Sequence, residues 1–66
     1  RNFKENKELA ALDKQLPELE LKKEELEQQM TQEGADMAKL SLDLAEIITR
    51  IEQAEERWLE LSELAP

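Results

Sequence analysis

The chain has 66 residues, of which 17 are Asp or Glu and 9 are Lys or Arg, so its net charge is -8. This length allows one small domain with a thin core. The absence of Cys and His excludes disulfides, zinc sites, thiol nucleophiles and histidine bases. Leu, Glu, Ala, Lys and Gln dominate, whereas β-branched residues are few, so the composition predicts a long helix or a coiled coil.

The first residues and the hydropathy of the chain bear on its cellular location. No apolar run reaches the roughly 18 residues that a membrane span needs. The first residues, Arg1-Asn2-Phe3, carry neither an initiator Met nor a signal-peptide pattern. We therefore expect a cytoplasmic piece of a larger protein that makes no membrane contact.

The first predicted element is a helix over about residues 4–31. Its apolar residues follow heptad spacing, with alternating steps of three and four: Leu9, Leu12, Leu16, Leu19, Leu26 and Met30. Lys23 fills one slot of this seam, where its methylenes can lie along the partner helix while its ammonium reaches water. We interpret Lys23 as a residue that sets the helix register.

Pro17 disturbs this helix. It has no N–H for the carbonyl of Asp13, and its ring crowds that carbonyl. Pro is also favoured in the first turn of a helix, whose positive end suits Glu18 and Glu20. The sequence therefore predicts that the first helix is interrupted near Pro17, by a break, a kink or a 3₁₀ turn over residues 13–17.

The second predicted element is a turn over residues 32–35, which contains Gly34, the only glycine. Glycine adopts the left-handed conformation that ends many helices, and Thr31 or Asp36 can supply capping oxygens. The alternative is one uninterrupted helix that pairs in parallel with a second copy, because Met30 and Met37 lie one heptad apart.

The third predicted element is a helix over about residues 36–64. Its seam continues without a gap to the end of the chain: Met37, Leu40, Leu44, Ile47, Ile51, Ala54, Trp58, Leu61 and Ala65. The predicted fold is all-α, a monomeric antiparallel two-helix coiled-coil hairpin that forms a single domain over residues 1–66. Facing seam residues then have numbers that sum to about 70, as in Leu12 with Trp58, and a slide by one layer is also compatible.

The sequence shows no catalytic constellation. It contains no phosphate loop, nucleotide fingerprint or metal-ligand cluster. Glutamates one helical turn apart, such as Glu52 and Glu56, are interpreted as a solvated helix face, because nothing desolvates them. Ser41 and Ser62 have no base to activate them. We predict that this chain has no catalytic residue, no metal site and no cofactor of its own.

The positive charges follow one edge of the predicted hairpin. Heptad position g of both helices lies along the same edge of an antiparallel pair, and it holds Lys22, Arg50 and Arg57. Lys7 and Lys14, at position f, lie beside it. A row of cations can contact nucleic-acid phosphates, so we define a basic edge as the candidate nucleic-acid-binding set: Lys7, Lys14, Lys22, Arg50 and Arg57.

An alternative interpretation of these charges is ordinary pairing along each helix. Glu18 precedes Lys22 and Glu46 precedes Arg50 by four residues, whereas Arg57 has no acidic residue three or four positions upstream. The other edge, at position e, is acidic. With a net charge of -8, the isolated chain should bind nucleic acid weakly and with strong salt sensitivity.

Apolar residues outside the seam suggest a second class of function, a structural or protein-interaction coiled coil. These residues are Leu21, Leu42, Ile48 and Leu59. Scattered apolar residues are common on protein surfaces. If they dock a partner protein, the binding should be insensitive to salt.

Two motifs suggest a family. Leu16-Pro17-x-Leu19-Glu20 lies early in the chain, and Arg57-Trp58-x-Glu60-Leu61 lies close to its end, with a Leu-, Glu- and Gln-rich heptad stretch between them. From about Glu8 to Leu64, this pattern resembles the carboxy-terminal coiled-coil domain of ABC-F ATPases, most closely the Uup type.

The resemblance implies a parent protein with two nucleotide-binding domains in one chain and no membrane domain. ATP and magnesium are expected there, not in these residues. ABC-F proteins act on ribosomes, and the Uup carboxy-terminal domain is associated with DNA binding. The resemblance therefore implies an accessory, non-catalytic hairpin that binds DNA or ribosomal RNA, with docking on the parent ATPase domains or the ribosome as the alternative.

Overall fold

A computed structural model describes residues 1–64, which form two α-helices, α1 (Phe3–Gln29) and α2 (Met37–Glu63). The chain reverses between them, so that Arg57 near the end of α2 meets Glu8 near the start of α1. The molecule is an elongated rod with dimensions of 50 × 15 × 14 Å. The predicted all-α, antiparallel two-helix hairpin is confirmed.

A capping box begins α1. The Asn2 side-chain oxygen accepts a hydrogen bond from the Glu5 backbone N–H at 2.8 Å, and the Glu5 carboxylate accepts one from the Asn2 backbone N–H at 3.0 Å. These two bonds satisfy backbone donors that lack partners at a helix start. The Asn-x-x-Glu spacing fixes this boundary, one residue before the predicted start.

Neither the break nor the 3₁₀ turn predicted over residues 13–17 is found, because α1 continues from Phe3 to Gln29 with Pro17 inside it; a kink at Pro17 stays a prediction. Leu12 is buried and Leu19 is half-buried on either side of Pro17, so packing against α2 holds the chain in a helical course. Pro17 leaves one backbone hydrogen bond of α1 unmade, because it has no N–H for the Asp13 carbonyl. Asp13 and Pro17 are both exposed, so water can reach the carbonyl that loses its partner.

The turn between the helices depends on Gly34, as predicted. Its φ of +79° lies in the left-handed region, and the backbone N–H of Ala35 donates to the carbonyl of Gln32 at 3.3 Å. A four-residue turn with positive φ at its third position favours glycine there. Asp36 caps α2 by accepting a hydrogen bond from the Lys39 backbone N–H at 3.2 Å. The alternative of one uninterrupted helix is therefore wrong.

The core is a single seam of apolar side chains between the helices. Its buried members are Leu12, Leu26, Leu40, Ile51 and Leu61. Most other predicted seam positions are half-buried, including Lys23. Two are more exposed than the heptad pattern predicts, with exposed fractions of 48% for Met37 and 36% for Trp58. The prediction for Ala65 lies outside the described residues.

Candidate nucleic-acid interface

Two surface grooves show that heptad position g of α1 and α2 shares one edge of the hairpin. A groove of about 280 Å³ is lined by Arg50 of α2 and by Gln15 and Glu18 of α1. A second groove, of about 270 Å³, is lined by residues of both helices: Lys22, Leu26, Gln29, Asp43, Glu46 and Ile47. Lys22 and Arg50 therefore lie on the same edge, as the heptad assignment predicts.

Arg50 and Lys22 are each paired with a carboxylate on their own helix. Arg50 Nη2 donates to Glu46 Oε1 at 2.7 Å, which is the pairing predicted from the sequence. The Lys22 ammonium lies 4.0 Å from Glu25, one turn downstream, and not beside Glu18. All four side chains are exposed, and such surface pairs contribute little to stability.

Arg57 is the most fully engaged cation of the basic edge. Its Nε and Nη2 donate to the two Glu8 carboxylate oxygens at 2.7 and 3.0 Å, and its Nη1 donates to Glu60 at 3.0 Å. These bonds lower the pKa of Glu8 and raise that of Arg57, because each stabilises the charged form. Glu8 also occupies position g, like Arg57, so the heptad assignment places the two on the same edge. Spacing of three or four residues along α2 alone does not reveal this interhelical pair.

Lys7 and Lys14 differ from the other three cations. Both are exposed on α1. Among residues 1–64, neither forms an ion pair or a hydrogen bond through its ammonium group. Their charges are therefore neutralised by no direct carboxylate contact. The structure thus brings Lys22, Arg50 and Arg57 to one edge, while Lys7 and Lys14 extend the positive charge along α1.

Trp58 lies at the margin of the seam rather than inside it. Its indole Nε1 donates to Asp13 Oδ1 at 2.6 Å. Asp13 occupies position e, so this bond lies across the seam from the pair between Arg57 and Glu8. The Arg1 guanidinium donates to the Leu61 carbonyl at 3.1 Å and closes the end of the hairpin.

The apolar residues outside the seam are largely solvent-exposed. The exposed fractions are 60% for Leu21, 73% for Leu42 and 52% for Leu59, whereas Ile48 is half-buried. Leu21 and Leu42 occupy position f and Leu59 occupies position b, which lie on the outer faces of the two helices. These three leucines are therefore exposed to solvent and do not belong to the core.

Within residues 1–64, no three acidic side chains come close enough together to hold a metal ion. In that same range neither helix combines the length and the apolar character needed to cross a membrane. The polar side chains that the hairpin brings together across the two helices are Arg57 with Glu8 and Trp58 with Asp13, which lie beside the apolar seam.

The fold is a small antiparallel helical hairpin with a charged surface. A family model described as ABC transporter C-terminal domain matches residues 1–63, and the chain belongs to this family. It is an accessory domain of an ABC ATPase and is not itself an enzyme. Comparison with curated proteins found no match, and neither did comparison with solved structures.

Proposed function

We propose that this hairpin is the nucleic-acid-binding accessory domain of a cytoplasmic ABC-F ATPase of the Uup type. Its basic edge contacts the phosphates of DNA or ribosomal RNA, while the parent's nucleotide-binding domains bind ATP and magnesium and drive conformational change elsewhere. Membership of the ABC transporter C-terminal domain family and the resemblance described above support this assignment.

The observation that carries the proposal is the position of Lys22 and Arg50 at grooves on the edge that also holds Arg57. Two antiparallel helices with a packed seam fix the spacing of these cations. An arginine guanidinium offers paired N–H donors that match phosphate oxygens as well as carboxylate oxygens. The basic edge therefore provides a row of cations that can bind phosphates and whose positions along the helices are fixed.

The carboxylates beside these cations determine the strength of binding. Each of Lys22, Arg50 and Arg57 already has a carboxylate partner. Because exposed pairs are weak, phosphates can replace those partners. The net charge of -8 opposes approach of a polyanion, so binding is weak and falls steeply as salt rises.

The test is fluorescence anisotropy of labelled duplex DNA and labelled RNA, titrated with this chain at low salt. Arg50→Gln and Arg57→Gln should each weaken binding by roughly three-fold or more. Lys39→Gln is the matched control, since it removes one cation outside the basic edge and should have a smaller effect. Equal losses for all three variants would contradict the assigned face, and no binding by the wild-type chain would contradict the function.

A second candidate function is docking onto the parent ATPase domains or the ribosome through exposed leucines. The observation that favours it is the exposure of Leu21, Leu42 and Leu59, which cover no part of the seam. Leu42→Gln should then weaken binding to the purified ATPase domains, and binding should change little with salt. Salt dependence therefore distinguishes an apolar contact from a phosphate contact.

A further inference from the structure

The contact between Glu8 and Arg57 has the two-pronged arrangement in which an arginine also binds a phosphate. Two carboxylate oxygens of Glu8 accept from Nε and Nη2 of Arg57 at 2.7 and 3.0 Å. Phosphate oxygens use the same pair of donors in a two-pronged contact. The pair is also reachable from solvent, because the exposed fractions of the two side chains are 43% for Arg57 and 40% for Glu8.

We propose that Glu8 is a built-in competitor that occupies the phosphate-binding donors of Arg57 and lowers the affinity of the hairpin for nucleic acid. This inference rests on the proposed function and adds its regulation. A nucleic-acid phosphate can accept hydrogen bonds from Arg57 Nε and Nη2 only after the Glu8 carboxylate has moved away from them. The two anions exclude each other, since one pair of N–H groups cannot serve both.

Glu8 is the specific competitor because of its position and its number of contacts. Glu60 accepts only from Nη1 of Arg57, and Glu46 makes a single contact with Arg50. Both of these glutamates lie on the same helix as their arginine. Glu8 alone reaches across from α1 and holds two donors. Lys4 lies close enough to stabilise the Glu8 carboxylate, and Glu60 remains beside Arg57 after Glu8 leaves.

Release of Glu8 does not require the hairpin to open. Trp58 remains bonded to Asp13 on the other side of the seam, and Arg1 remains bonded to the Leu61 carbonyl. Leu61 is fully buried at this end. The packing that holds α1 against α2 is therefore independent of the competing pair, and a Glu8 variant should keep its fold.

The experiment compares Glu8→Gln with Glu24→Gln. Both variants remove one negative charge, but Glu24 is exposed on the outside of α1 and, among residues 1–64, contacts no cation. Anisotropy with labelled duplex DNA and with labelled RNA should show that Glu8→Gln binds roughly three-fold more tightly than Glu24→Gln.

The double variant Glu8→Gln with Arg57→Gln identifies the site of the effect. It should lose the whole gain, because the gain depends on Arg57. Circular dichroism melts establish that each variant is folded at the temperature of the titration. If Glu8→Gln melts too early, Glu8→Ala and Glu24→Ala replace the pair, since alanine is the best helix former.

The outcomes separate this inference from the proposed function. If Arg57→Gln weakens binding while Glu8→Gln matches Glu24→Gln, the basic edge binds nucleic acid and Glu8 is not its competitor. If Arg57→Gln binds as the wild type does, both the assigned face and the competition at it are overturned. A gain that survives in the double variant also overturns the inference, because it would arise from charge alone.

Discussion

Trp58 Nε1 lies 2.6 Å from Asp13 Oδ1, and this bond joins the two helices four residues before Pro17. The indole presents its ring to the seam and its N–H to the edge, which suits an aromatic residue with a polar handle. Asp13 is also the residue whose backbone carbonyl loses its helical N–H partner to Pro17. Its side chain therefore ties the helices together where the backbone ladder of α1 is incomplete.

Truncation of Trp58 should lower stability by less than full burial would imply. Trp58→Ala should cost about 2–3 kcal/mol, because Trp58 is partly exposed and complete burial of an aromatic accounts for about 3–5 kcal/mol. Trp58→Phe keeps a ring, loses the bond to Asp13 and should cost about 1 kcal/mol. Urea unfolding followed by circular dichroism measures both, with exposed Leu59→Ala as control. Equal losses for the Phe and Ala variants would show that the ring contributes nothing.

Pro17→Ala should stabilise the hairpin, because α1 is already helical at this position. The new backbone N–H can donate to the Asp13 carbonyl, and the clash of the proline ring disappears. The gain should be roughly 1–3 kcal/mol, up to the full cost of proline inside a helix. Thermal melts of Pro17→Ala and of neighbouring Glu18→Ala make the comparison. A loss of stability in Pro17→Ala alone would contradict a continuous α1.

Gly34→Ala should destabilise the turn through backbone strain alone. A Cβ at Gly34 meets no atom within 4 Å, while its φ of +79° is one that L-residues rarely adopt. The expected cost is about 1–2 kcal/mol. Gly34→Asn should cost less, because asparagine tolerates the left-handed region. Thermal melts that rank Ala above Asn in stability would count against this conformation.

Acid should remove the stabilisation that Glu8 contributes. Arg57 holds the pKa of Glu8 below its ordinary value of 4.5 by donating hydrogen bonds to the ionised carboxylate. A lowered pKa stabilises the fold above the ordinary value, and this contribution is lost as the pH falls through the folded value. The difference in unfolding midpoint between wild type and Glu8→Gln should thus be constant near neutral pH and vanish in acid. A difference that persists at the lowest pH would contradict an ionic contact.

The seam and the turn could be predicted because their causes are local. Heptad spacing identifies the stripe that holds Leu12 and Leu26, and the single glycine identifies the reversal. The continuity of α1 could not be predicted, because the local penalty of Pro17 is overcome by packing against α2. The Asn2 capping box was readable from its spacing, but the exposure of Trp58 depends on a bond across the helices.

The basic edge was predicted as a set of positions, but its electrostatics depend on tertiary contacts. A search along one helix finds Glu46 for Arg50. It cannot find Glu8 for Arg57, since the two lie 49 residues apart in the chain. The heptad letters place both at position g, so pairing across the hairpin was the missing step. Nucleic-acid binding itself stays a prediction.

The most direct test of the central claim is the salt dependence of nucleic-acid binding by the wild-type chain and by the double variant Arg50→Gln with Arg57→Gln. If both arginines contact phosphates, the slope of log affinity against log salt should be shallower by about two in the double variant. A wild-type slope retained by the double variant would contradict a phosphate-binding role for this edge.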